Sequence, residues 1–185
     1  MISNSVSNKN WIFKKYNEQD VTFYKENYSL DELTSKLLSI RNIKKEDVQA
    51  FLNPSIKNSL PNPEIINDMQ KSTKRTMQAI SQKHKIGIFG DYDVDGASAT
   101  ALLANFFNSI NVPYEIYIPD RKKEGYGPSA ESFKKLIDSG TKMIFTVDCG
   151  TLSFDAIDYA FNNNIDVIVL DHHQSEINLP KAYSV

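Results

Sequence analysis

The stretch Ile86-Gly-Ile-Phe-Gly-Asp91-Tyr-Asp93-Val-Asp95-Gly96 decides how this chain is read. Its first four residues are apolar, too few for a helix, and closed by Gly90 and Asp91, as buried strands often are. Three aspartates at alternate positions follow at once. The same grammar recurs three times downstream. Tyr114–Ile118 leads to Pro119-Asp120-Arg121, Met143–Val147 to Asp148-Cys149-Gly150, and Asp166–Leu170 to Asp171-His172-His173. Amphipathic stretches lie between these runs, at Ser98–Ile110, Ser129–Ser139 and Ser153–Asn163. Strand and helix alternating at this spacing predict an α/β fold, a parallel sheet flanked by helices on both faces in the Rossmann-like manner.

Upstream the texture is helical and polar. Met1–Asn10 lacks periodicity and reads as a disordered tail, with order starting at Trp11-Ile12-Phe13. Ser29 to Glu32 has capping-box spacing ahead of Leu33, Leu37 and Leu38, and a short helix is expected over Lys44–Leu52. Asn53-Pro54 ends it, since the residue before proline is pushed out of the helical region. Residues 55–66 read as an extended connection and Asp68–Gln82 as a longer helix. The resulting division is a tail over 1–10, a mainly helical appendage over 11–83, and the α/β domain over 84–185.

Composition narrows the function classes. The 185 residues are 41% hydrophobic and 24% charged, which excludes wholesale disorder. No apolar run approaches the roughly 18 residues of a membrane span, and no secretory leader is visible. One cysteine, Cys149, makes neither an internal disulfide nor a thiolate-rich zinc site, so the expected compartment is the cytoplasm. Residues 1–85 carry 14 Lys+Arg against 9 Asp+Glu, whereas residues 86–185 carry 7 against 14. That asymmetry fits either two ordinary solvated surfaces or a cation site beside a half that attracts phosphates.

In an open parallel sheet the carboxyl ends of the strands share one edge, where ligands bind. Up to six carboxylates and two imidazoles would meet there, a self-repelling set unless divalent cations neutralise it. Asp91 to Gly96 also resembles the start of an EF-hand loop. That reading fails because its twelfth position is Leu102 and a strand precedes it. Gly90 and Gly96 instead read as permitting a sharp strand-to-helix turn. Carboxylate and imidazole without thiolate favour Mn²⁺ or Mg²⁺, and histidine tilts the choice to Mn²⁺. Two such ions about 3.5–4 Å apart would clamp a phosphate and activate water, with Asp148 placed to bridge them. Asp171 can orient one imidazole by a hydrogen bond. Arg121 can grip a phosphate, with Lys122 and Lys123 either assisting or simply solvated. Gly125-Tyr126-Gly127 reads as a loop approaching a ligand closely, and Gly150 as an amide donor or a plain turn.

Asp91-Tyr-Asp-Val-Asp-Gly96, Ile118-Pro-Asp-Arg121 with Glu124-Gly-Tyr-Gly127, Thr146-Val-Asp-Cys-Gly150 and Asp171-His-His173 together resemble the first four motifs of the DHH phosphoesterases. Within that superfamily they are similar to the single-strand-specific DNA exonucleases, from about Trp11 to the end of the chain. The resemblance implies two Mn²⁺ or Mg²⁺ ions and 5′-to-3′ hydrolysis of single-stranded DNA in repair and recombination. Implied partners are single-stranded DNA and a single-strand-binding protein, with no membrane. It puts Asp91, Asp93, Asp95, Asp148 and His172 on metal ligation, and His173 close to the scissile phosphate with Asp148 as the other catalytic group. Asp171 supports an imidazole, and Arg121, Gly125, Tyr126, Gly127 and Gly150 handle substrate. The family also supplies a later metal-ligating aspartate and further domains, so the α/β domain is expected to be truncated at its C-terminus. Two competing readings are a phosphodiesterase for short oligonucleotides or cyclic dinucleotides, and a metal- or partner-binding fragment without turnover.

Overall fold

The structure is a computed structural model, and it describes residues 7, 9, 12 and 14–185. The tail expected over 1–10 and the start at Trp11–Phe13 therefore fall almost wholly outside the described residues. The chain forms two compact units, dividing between Asn62 and Pro63.

The first unit holds α1 (Glu18–Tyr28), α2 (Glu32–Ile40), a 3₁₀ turn at Lys45–Asp47 running into α3 (Val48–Leu52), and α4 (Ile56–Ser59). Its small core is Tyr24, Leu38 and Val48. Helix α1 was not foreseen. Two sequence expectations change with it. Ser29 does not cap α2; it adopts a left-handed conformation at the end of α1, and Asp31 caps α2 by accepting from the Thr34 amide. The stretch expected to be extended contains α4, which starts because the Ser55 side chain caps the Asn58 amide, and a 3₁₀ turn at Pro63–Ile65.

The second unit begins with that 3₁₀ turn and α5 (Met69–Ser81). Then follow β1 (Ile86–Gly90), α6 (Val94–Ser109), β2 (Tyr114–Tyr117), α7 (Arg121–Glu124), α8 (Ala130–Asp138), β3 (Met143–Val147), α9 (Phe154–Asn162) and β4 (Asp166–Leu170). All four strands are parallel, in the order β2-β1-β3-β4. The period-2 pattern of the strands sorts their side chains between two faces. Phe89, Ile144, Val167 and Val169 meet Phe133, Leu136, Ala156 and Ile157 of α8 and α9. Ile86, Ile88, Met143, Phe145 and Ile168 meet Ala79 of α5 and Ala104 and Phe107 of α6. Each fully buried Phe or Ile contributes about 1.5–3 kcal/mol over exposure, so the two faces together anchor the sheet edge that carries the site.

Helix α5 thus packs against the sheet, with Arg75 also paired to Asp166 at the start of β4. The sequence grouped it with the helical appendage ending at residue 83; the contacts group it with the sheet. Beyond β4, Ser184 bridges in parallel to Ile168, and the Val169 amide donates to the Ser184 carbonyl.

Candidate metal centre

The strand order places β1 beside β3 where the direction of winding reverses, the crevice in which open α/β sheets hold ligands. Gly90 pairs with Val147 and Val147 with Leu170, so Asp91, Asp148 and Asp171 each stand one residue past aligned strand ends. Asp91 is buried, and its Oδ1 accepts from the Tyr92 amide at 2.8 Å. Asp93 caps α6, accepting from the amides of Asp95 (3.1 Å) and Gly96 (3.0 Å). Capping starts the helix at Val94, four residues before the expected Ser98, and puts Asp95 and Gly96 inside its first turn. The glycine is required by crowding and not by a turn. A Cβ on Gly96 would lie 2.6 Å from the Asp91 carbonyl oxygen, and one on Gly90 would collide with the Thr100 hydroxyl.

Asp148 turns the chain with a left-handed φ of 59°, a conformation aspartate tolerates better than most residues, and its amide donates to the Leu170 carbonyl at 2.8 Å. His172 Nε2 lies 3.1 Å from Asp148 Oδ1. His173 Nδ1 lies 2.7 Å from Asp171 Oδ1. The imidazole oriented by Asp171 is therefore His173, and His172 faces Asp148.

Asp171 is the most densely solvated carboxylate of the edge, by protein rather than water. Its Oδ2 accepts from the Thr151 amide (3.1 Å) and hydroxyl (2.7 Å); its Oδ1 accepts from the amides of His172 (2.8 Å) and His173 (3.1 Å) as well as the ring. Burial would raise its pKa, but these donors outweigh burial and hold it at about 2. The hydrogen bond to Asp171 in turn raises His173. Asp148 moves the other way, pushed up by burial and then by the neighbouring Asp93 charge, while the Gly96 amide pulls Asp93 down.

Ligand atoms of Asp91, Asp93 and Asp148 lie within 4.8 Å of one another, and so do those of Asp148, His172 and His173. These sets fit two divalent cations: all donors are oxygen or imidazole nitrogen, and the mutually repelling carboxylates, of which Asp91 and Asp148 are buried, need positive charge. Three carboxylates and two imidazoles are gathered, fewer than the six and two anticipated. Asp95 joins neither set, although it lines a cleft of about 360 Å³ with Asp148 and His172. Asp120 caps α7 by accepting from the Lys122 amide.

The Gly125-Tyr126-Gly127 loop reaches this edge. Tyr126 Oη lies 3.3 Å from the Asp148 carbonyl oxygen and 3.4 Å from His173 Nδ1, and burial raises its phenol pKa. Both flanking glycines have positive φ. Tyr126, Gly150 and His173 line a second cleft of about 280 Å³. Arg121 stacks over the Tyr92 ring, 4.8 Å from its centroid, while Lys123 pairs with Asp120. Sequence reasoning missed Tyr92 and Thr151. Neither carries a charge, and only the fold shows that one supports a guanidinium and the other a carboxylate.

Residues 85–185 match the DHH family, N-terminal domain. The chain is 31% identical over 180 residues to the single-stranded-DNA-specific exonuclease RecJ of Bacillus subtilis, covering 97% of this chain and 23% of that protein. It is 33% identical over 137 residues to the Escherichia coli RecJ, covering 72% of this chain and 23% of that protein. The chain thus spans about a quarter of the length of these curated relatives. A crystal structure of exonuclease RecJ bound to manganese superposes with a TM-score of 0.62 at 28% identity, over 68% of this chain and 32% of that one. A Thermus thermophilus RecJ structure in complex with Mn²⁺ shares the fold, with a TM-score of 0.65 at 18% identity, over 93% of this chain and 24% of that one.

Proposed function

Because the chain belongs to the DHH family, we propose that it carries metal-binding residues of a single-strand-specific DNA exonuclease that hydrolyses phosphodiester bonds with two Mn²⁺ or Mg²⁺ ions. The observation that carries this reading is that Asp148 belongs to two clusters, one with Asp91 and Asp93 and one with His172, beside which His173 also stands. Sharing one carboxylate is what brings two cations close enough to act on one phosphate. Similarity to RecJ proteins over 97% of the chain supports DNA as the substrate.

In this reading Asp91 and Asp93 would hold one ion, His172 the other, and Asp148 would serve both, with Asp95 at the margin in the cleft it shares with Asp148 and His172. When bound, such ions polarise phosphate oxygens and lower the pKa of a water molecule. The protein's own groups do the rest. Asp171 fixes His173 through Nδ1, which leaves Nε2 facing substrate, and raises its proton affinity so that the ring can stand charged beside the scissile phosphate. Arg121 is presented as a flat guanidinium for a second phosphate of the strand. Tyr126, more than half exposed, offers a ring for a base and a hydroxyl near His173. Gly150, with φ 111°, lines the cleft where the chain passes so close to Thr146 that a Cβ would collide with the Thr146 hydroxyl, so only glycine fits this turn.

Repair and recombination, a single-strand-binding protein as partner and a cytoplasmic location follow from the same similarity and belong to this proposal. Among the described residues no helix is long and apolar enough to cross a membrane. The test is Asp148→Ala in the complete natural protein. Cleavage of a 5′-phosphorylated single strand with Mn²⁺ should fall by at least about 10²-fold, the scale lost with a catalytic electrostatic group. Retained turnover would refute the assignment.

A further inference from the structure

The segment bearing Arg121 and Tyr126 is only four helical residues and a glycine loop, too short to hold itself in place. Glu124 ties it to the sheet and to α8. Glu124 Oε1 accepts from the Tyr117 hydroxyl at 2.6 Å and from Lys135 Nζ at 3.2 Å, and Glu124 Oε2 accepts from the Asp120 amide at 3.0 Å. Lys135 Nζ also donates to the Tyr117 hydroxyl at 3.0 Å, closing a three-membered ring of contacts. The Tyr117 ring is stacked on the fully buried Phe89, 5.5 Å between centroids and 14° between planes. The anchor therefore reaches the sheet core on one side and α8 on the other.

We propose that Glu124, clamped by Tyr117 and Lys135, is the positioning residue that holds Arg121 and Tyr126 against the metal edge. The inference rests on the exonuclease reading for its kinetic consequence, but not for its structural one. Glu124 touches neither ligand set. It acts through the segment on either side of it: Arg121 three residues before, stacked on Tyr92, and Tyr126 two residues after, beside Asp148 and His173. Both acceptor oxygens are in use, so a neutral isostere keeps part of the ring and alanine keeps only the Lys135–Tyr117 contact.

The experiment has two arms. In the first, this chain and its Glu124→Ala and Lys135→Met variants are digested with trypsin, which cuts after Arg121, Lys122 and Lys123. Nicking there should accelerate on the order of tenfold in Glu124→Ala, with Glu124→Gln intermediate and Mn²⁺ affinity unchanged. In the second, the complete protein is assayed on a 5′-phosphorylated oligothymidylate. Glu124→Ala should raise KM on the order of tenfold with kcat nearly kept, because uniform binding is lost. Combining it with Arg121→Ala should raise KM by less than the product of the two single effects, since part of what Glu124 contributes acts through Arg121 and the rest through Tyr126. Unchanged nicking would overturn the clamp. Faster nicking with an unaltered KM, or fully additive effects with Arg121→Ala, would overturn its positioning role. Faster nicking in a protein whose wild type cuts no single-stranded DNA would overturn the exonuclease reading and leave the clamp standing.

Discussion

Replacing Asp171 by asparagine tests whether the carboxylate behind His173 is a structural anchor with a charge requirement. Five donors converge on it, and its side chain is only 3% exposed. The folded-state pKa of about 2 lies nearly two units below the ordinary 3.8. At 1.36 kcal/mol per unit, reduced a little for residual solvent, the ionised form is worth roughly 2 kcal/mol to folding. The depressed pKa fixes the sign: this stability is complete above about pH 4 and disappears as pH falls through about 2. His173 adds an opposite limb. Its pKa is raised by Asp171, so that contribution is complete below the ordinary histidine value and lost as pH rises through the folded-state value. In metal-free buffer, urea unfolding of wild type and Asp171→Asn should differ by roughly 2 kcal/mol near pH 7. The gap should widen slightly near pH 5 and narrow below pH 4. NMR titration of the His173 ring should show its pKa lower in the variant. A gap that stays constant from pH 3 to pH 7, or an unmoved His173 titration, would show that the carboxylate charge is irrelevant and refute the account of this edge.

Two further outcomes follow from the same geometry. Gly96→Ala would set a methyl 2.6 Å from the Asp91 carbonyl oxygen. It should lose about 1–3 kcal/mol in thermal or urea unfolding and weaken Mn²⁺ binding by displacing Asp91, despite alanine's better helix propensity. In calorimetric Mn²⁺ titrations, Asp93→Asn should weaken binding at least about tenfold and Asp95→Asn by much less, since only Asp93 shares ligand distance with Asp91 and Asp148.

Much of this architecture was legible because apolar runs bounded by Gly and Asp report buried strands directly. The strands expected at Met143–Val147 and Asp166–Leu170 are found with those bounds, and the other two differ by one residue at their ends. Helix α1 was not legible. Its buried face is only Val21 and Tyr24, and its apolar contrast is too weak to announce itself; it depends on tertiary packing against Leu38 and Val48. Ser29 misled for a related reason. The Ser-x-x-Glu spacing describes a local option, and a left-handed exit from α1 took that residue before it could cap α2.

Which carboxylates would gather was decided by register, a property that no single motif contains. Gly90, Val147 and Leu170 are aligned across three strands, so the next residue of each, Asp91, Asp148 and Asp171, arrives at one level. Strand β2 pairs one step differently in effect: Phe89 aligns with Tyr117, which puts Pro119 at the level of Asp91 and carries Asp120 one residue beyond it. There Asp120 meets the free amides that open α7 and becomes its cap. Asp93 escapes that fate only in part. It caps α6 while keeping an oxygen within reach of Asp91 and Asp148, because the helix starts immediately and Gly96 lets its first turn press against Asp91. The same physics, a carboxylate answering exposed helix amides, thus withdraws one aspartate from the edge and fastens another to it. A cation site read from the count of acidic residues overestimates its ligands wherever a helix begins beside it.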